Sequence, residues 1–102
     1  MEITVKERTY RVDLTLGACR EYKRGSGKEI SEVSGPADIA ELLYACAVST
    51  GRRTGKPVEM TMEEFCDELT MDALASFMRM LEEAGLTGGE ADGSVSKKKN
   101  PR

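Results

Sequence analysis

The strongest nucleophiles and soft metal ligands of this chain are three cysteines, Cys19, Cys46 and Cys66, which stand 27 and 20 positions apart with no histidine anywhere. Structural zinc needs four close nitrogen or sulfur ligands, so neither a metal site nor a metal cofactor is expected within one chain. Each cysteine falls at an apolar position of a predicted helix, which suits buried free thiols in a reducing compartment. The other reactive cluster is the acidic run Glu63, Glu64, Asp67 and Glu68. Carboxylates one helical turn apart share a face and can divide acid and base roles, but no second element supplies partners, and the run reads as a solvated helix face. There is no glycine-rich phosphate loop, serine elbow or paired-cysteine motif. The residues do not describe an enzyme, and no cofactor is expected.

Charge narrows the partners. The 102 residues carry a net charge of −3, whereas nucleic-acid affinity depends on clustered lysine and arginine. Three basic patches exist: Arg20, Lys23, Arg24 and Lys28; Arg52, Arg53 and Lys56; and Lys97 to Lys99 with Arg102. They read as helix ends, a loop and a basic tail rather than a nucleic-acid surface. With 39% hydrophobic and 32% charged residues, the composition suits a single compact domain over 1–86, followed by a flexible basic tail over 87–102. No apolar run is long enough for a bilayer, and Met1 to Lys6 lacks the layout of a secretion signal, so the expected location is the cytoplasm, without membrane contact.

The elements follow from periodicity. Ile3 and Val5, then Tyr10, Val12 and Leu14, alternate with polar residues around the charged Lys6 to Arg8 and predict a short hairpin. Thr15 can cap a helix carrying Leu16, Cys19 and Tyr22 on one side and ending at Gly25 to Gly27. Ile30 and Val33 anchor a loop or single turn. Pro36 suits the first turn of a helix running to about Ser49, with Gly51 as its terminator and an exposed loop to Pro57. That helix is apolar nearly all round, interrupted by Asp38 and Glu41, with Ile39, Leu42, Leu43 and Cys46 in the core; it should stand at the centre of the fold. Thr61 to Glu64 has capping-box spacing for a short helix burying Phe65 and Leu69. Thr70 caps a last helix ending near Gly85. The fold class is therefore α+β, mostly α: a hairpin and about four helices packed round a central one.

The last helix carries two apolar stripes where one contact demands one. Leu74, Met78 and Leu81 with Met71 form the stripe assigned to the core, and Ala73, Phe77, Met80 and Ala84 form the outer stripe. Methionine is flexible, so such a face serves either as an adaptable core or as a grip for varied partners, and the outer stripe is the candidate partner surface. If exposed, Phe77 and Met80 could equally pair in a homo-oligomer.

The order of the hairpin, Leu16-Gly-Ala-Cys-Arg-Glu-Tyr-Lys23, Gly27-Lys-Glu-Ile30, Asp38-Ile-Ala-Glu-Leu-Leu-Tyr-Ala-Cys46, Met62-Glu-Glu-Phe65 and Asp67-Glu-Leu-Thr70 resembles the small tail assembly chaperones of long-tailed, siphovirus-like bacteriophages. The likeness covers about residues 3 to 84. It implies a non-catalytic protein of the host cytoplasm that binds the tape measure protein, with the tail tube protein as a further candidate partner, assists assembly of the tail tube, and is absent from the mature virion. The family often makes a longer form by ribosomal frameshifting, and Lys97-Lys-Lys-Asn100 could be encoded by a slippery run. Two other readings stand beside it. One is a structural tail-completion or adaptor protein that stays in the particle. The other is a DNA-binding regulator using the helix pair from Thr61 to Gly85, whose acidic exposed side repels phosphate.

Overall fold

A computed structural model describes residues 1–85. The expected tail over 87–102 and the Lys97 to Asn100 run lie outside them. Strands β1 (Glu2–Val5) and β2 (Arg8–Arg11) pair antiparallel, with Ile3 opposite Tyr10 and Thr4 opposite Thr9. Strict alternation puts Ile3, Val5, Tyr10 and Val12 on the buried side. The Thr4 and Thr9 hydroxyls meet on the other at 3.2 Å. The turn is two residues long, and both Lys6 (φ 52°) and Glu7 (φ 65°) adopt left-handed backbone. That geometry matches strand twist, but it is normally supplied by Asn-Gly.

Four helices follow: α1 (Leu16–Ser26), α2 (Gly35–Thr54), α3 (Met62–Glu68) and α4 (Met71–Glu83), with a 3-10 turn at Ile30–Glu32. Their ends are fixed locally. The Thr15 hydroxyl accepts from the Ala18 N–H, and the Thr70 hydroxyl accepts from that of Ala73, each at 3.1 Å. Thr61 and Glu64 form the reciprocal capping box, Thr61 N–H donating to Glu64 at 3.0 Å and Glu64 N–H to Thr61 at 3.1 Å. Gly27 ends α1 in the left-handed conformation at φ 79°.

Helix α2 stands at the centre, against α1, α3, α4 and β2. From Leu42 to Gly51 nearly every residue is buried, as its all-round apolar sequence requires. Its end differs from expectation. The helix continues through Arg52 and Arg53 to Thr54, and Gly55 at φ 81° is the cap. Gly51 lies inside the helix because the returning chain crosses it: a Cβ there would sit 2.5 Å from the Lys56 carbonyl oxygen. The glycine is present for close approach. Buried Thr50 anchors the link between β2 and α1, its hydroxyl accepting from the Asp13 N–H at 2.9 Å. Arg53 binds the Asp13 carboxylate, and Arg11 approaches it at 3.2 Å. Burial pushes the Asp13 carboxyl upward, but these two guanidiniums outweigh it and hold the group below its ordinary value.

The core contains Tyr22, Leu42, Leu43, Cys46, Phe65, Leu74 and Leu81, as expected, with Ile39 and Leu69 half-buried against it. Three assignments change. Leu16 is 83% exposed, because Ala18 and Tyr22 set the inner face of α1 and the first helical position points away from it. Cys19 is only half-buried at the margin, as is Cys66, so Cys46 alone is a fully buried thiol among the described residues. Burial pushes the Cys46 thiol up to about 12. The third change, in α4, bears on the candidate site.

Candidate functional site

The two stripes of α4 do not divide into core and surface. Phe77 is completely buried, together with Leu74 and Leu81, whereas Met78 is 37% and Met71 73% exposed. At about 100° per residue, the direction of the core falls between Phe77 and Leu81, leaving Met78 and Met71 roughly 80° to 100° away from it. Phe77 is thus a core residue and Met78 is not. Ala73 and Met80 are half-buried beside the same face, and Ala84 is exposed just beyond the helix end. The expected partner stripe is mostly a packing face. What α4 leaves in solvent is the Met71 and Met78 edge.

A concave surface of mixed apolar and acidic character lies elsewhere. The outer side of α2 from Pro36 to Ala45 is flanked by α1 on one side and α3 on the other, and the three helices leave an open groove. Its inner part, about 370 Å³, is lined by Glu21, Tyr22, Glu41, Tyr44, Ala45 and Met62 among others. Its outer part, about 840 Å³, adds Ala37, Asp38, Ala40, Glu63, Cys66 and Asp67. The two meet at Glu41 and Met62.

Local structure explains each wall. Tyr44 lies edge-on to Phe65 with ring centroids 5.1 Å apart, and its hydroxyl donates to the Met60 carbonyl at 2.8 Å, so α3 is held at a fixed distance from α2. Asp38 accepts from the Ser34 N–H at 3.0 Å and binds Lys28 at 2.9 Å, which ties the start of α2 to the segment after α1. Lys28 first and Ser34 second hold the Asp38 carboxyl below its ordinary value. Glu21 binds Arg24 at 3.0 Å and Arg52 at 3.1 Å. Glu41, Glu63 and Asp67 have no salt-bridge partner among the described residues.

The groove therefore combines apolar contact with negative charge. Tyr22 adds a polar group: it is 2% exposed, and its hydroxyl is buried without a hydrogen-bond partner among the described residues. The nearby Ser26 hydroxyl is engaged with the Tyr22 carbonyl at 2.7 Å and the Lys28 N–H at 3.1 Å. Burial raises the Tyr22 phenol, and the Asp38 charge adds to it.

In the sequence, Asp38 and Glu41 are the only interruptions of the apolar segment from Asp38 to Val48. Both line the groove, Glu41 without a salt-bridge partner among the described residues and Asp38 covered by Lys28. Tyr44 and Met62 carried no such signal, since their roles depend on where α3 packs. Among the described residues, no group of three or more histidine, cysteine, aspartate or glutamate side chains is placed to hold a metal ion, and no helix is long and apolar enough to cross a membrane. Comparison of the chain with protein-family models, curated proteins and solved structures returns no match.

Proposed function

We propose that this protein is a non-catalytic tail assembly chaperone of long-tailed bacteriophages, which binds the tape measure protein in the host cytoplasm, keeps it soluble during tail tube assembly, and leaves before the virion is complete. The observation that carries the proposal is the groove along α2. It is framed largely by the segments on which the family resemblance rests: Glu21 and Tyr22 from Leu16 to Lys23, Asp38 to Ala45 from the central helix, and Met62, Glu63 and Asp67 from α3. A client that is long, helical and apolar in places needs an open apolar trough rather than a closed pocket, and helix-in-groove binding is the mode such a surface supports. Five carboxylates along the trough, Glu21, Asp38, Glu41, Glu63 and Asp67, disfavour a nucleic-acid ligand.

The test is co-expression with a tape measure protein from the same genome. The expected outcome is a shift of the tape measure protein from the insoluble to the soluble fraction. No gain in its solubility would remove the proposal. Mass spectrometry of purified virions separates it from the adaptor reading: a chaperone is absent from the particle, whereas an adaptor is present at a fixed copy number.

A further inference from the structure

We infer that the groove along α2 is a docking site for a cationic amphipathic helix, one that sets lysine or arginine beside a narrow apolar stripe. The inference deepens the chaperone proposal and rests on it only for the claim that the helix belongs to a client. Two observations point to this occupant. Glu41, Glu63 and Asp67 line the groove without a salt-bridge partner among the described residues, and no basic residue is in its lining. An apolar strip edged by uncompensated carboxylates is complementary to apolar side chains edged by cations, an arrangement that steers encounter and rejects acidic partners.

The second observation is shape. From Pro36 to Ala45 the floor of α2 spans about 14 Å at 1.5 Å per residue, which matches two to three turns of a docked helix. The floor residues Ala37, Ala40 and Ala45 are small, so a second backbone can approach closely. The free carboxylates are spread over this span, Glu41 on α2 and Glu63 and Asp67 on α3.

The experiment uses the full chain and two fluorescent synthetic peptides that share one leucine and alanine stripe. One is flanked by lysine and arginine, and the other by glutamate. Fluorescence anisotropy is expected to show binding of the basic peptide, weakened by salt, and none of the acidic one. Glu41→Gln combined with Asp67→Lys should weaken the basic peptide by about tenfold, the sum expected for two exposed charge contacts. Equal binding of both peptides, or an unchanged affinity in a folded variant, overturns the inference. Wild-type protein supplies a check that needs no mutation. Cys66 lines the groove and Cys19 does not, and both are half-buried. Bound basic peptide should slow alkylation of Cys66, read by mass spectrometry, while leaving Cys19 unchanged; equal rates at Cys66 with and without peptide overturn the docking site. The two levels fail separately. A tape measure protein solubilised equally well by the groove variant refutes the groove but not the chaperone, whereas peptide binding without tape measure solubilisation refutes the chaperone but not the groove.

Discussion

Replacing Gly51 with alanine separates two opposed expectations. Helix propensity alone favours the change: Gly51 lies inside α2, and glycine is about 0.8–1 kcal/mol worse than alanine within a helix. The packing opposes it. The new Cβ would stand 2.5 Å from the Lys56 carbonyl oxygen and 3.3 Å from the Pro57 Cα, both backbone atoms that cannot rotate aside. Ordinary contact at the oxygen requires almost another ångström, so the segment from Lys56 must move and strain the bond from Lys56 N–H to the Gly51 carbonyl, now 2.9 Å. Overpacking of this kind costs about 1–3 kcal/mol, and for the severe end of it the net effect after the propensity gain is a loss of about 1–2 kcal/mol. In a domain of this size that lowers Tm by about 4–15 °C. Thermal and urea unfolding followed by circular dichroism read it directly. Gly25→Ala is the internal control, since α1 holds Gly25 with nothing within 4 Å of the added Cβ, and the change should stabilise by a few tenths of a kcal/mol or more. A Gly51→Ala protein as stable as wild type, or more so, would refute the close-approach argument.

Phe77→Ala should cost about 3–5 kcal/mol, as for a fully buried aromatic, whereas Met71→Ala should stay within about 0.5 kcal/mol; equal, small effects in chemical unfolding would return Phe77 to the surface. The Asp13 carboxyl has a lowered pKa in the folded state, so the stability from its ionised form is present above the unfolded value of about 3.9 and is lost as pH falls through that value toward the folded one. Melting temperatures of wild type and Asp13→Asn should therefore differ at neutral pH and converge in acid, and a gap constant with pH would contradict the pairing with Arg53 and Arg11. Replacing Lys6-Glu7 by Asn-Gly removes two strained left-handed residues worth about 1–2 kcal/mol each, partly offset by the freer unfolded glycine, for a net gain of about 1 kcal/mol. Unchanged or lower stability would show that the turn is not strained.

What was legible in the sequence was local chemistry. Thr15, Thr61, Thr70 and Gly27 cap the helices that their spacing predicts, because a cap depends on residues within three or four positions. The hairpin alternation and the all-round apolar α2 were legible for the same reason. The rotation of α4 was not. Its two stripes are nearly equal in apolar content, and only the position of α2 decides that Phe77 turns inward while Met78 lies at the edge. Gly51 and Gly55 are both credible terminators by type, and the distinction lies in a backbone crossing between residues that fold back in space. The groove was half-written: Asp38 and Glu41 mark the groove side of α2, but its opposite wall depends on the Tyr44 and Phe65 contact that places α3.

The proposed binding of a tape measure protein is checked by an affinity tag on this chain in cells that also make the tape measure protein. The tape measure protein should elute with the tagged chain in a soluble complex, and Glu41→Gln with Asp67→Lys should lower the amount recovered. A tape measure protein that never elutes with the folded wild-type chain would contradict it.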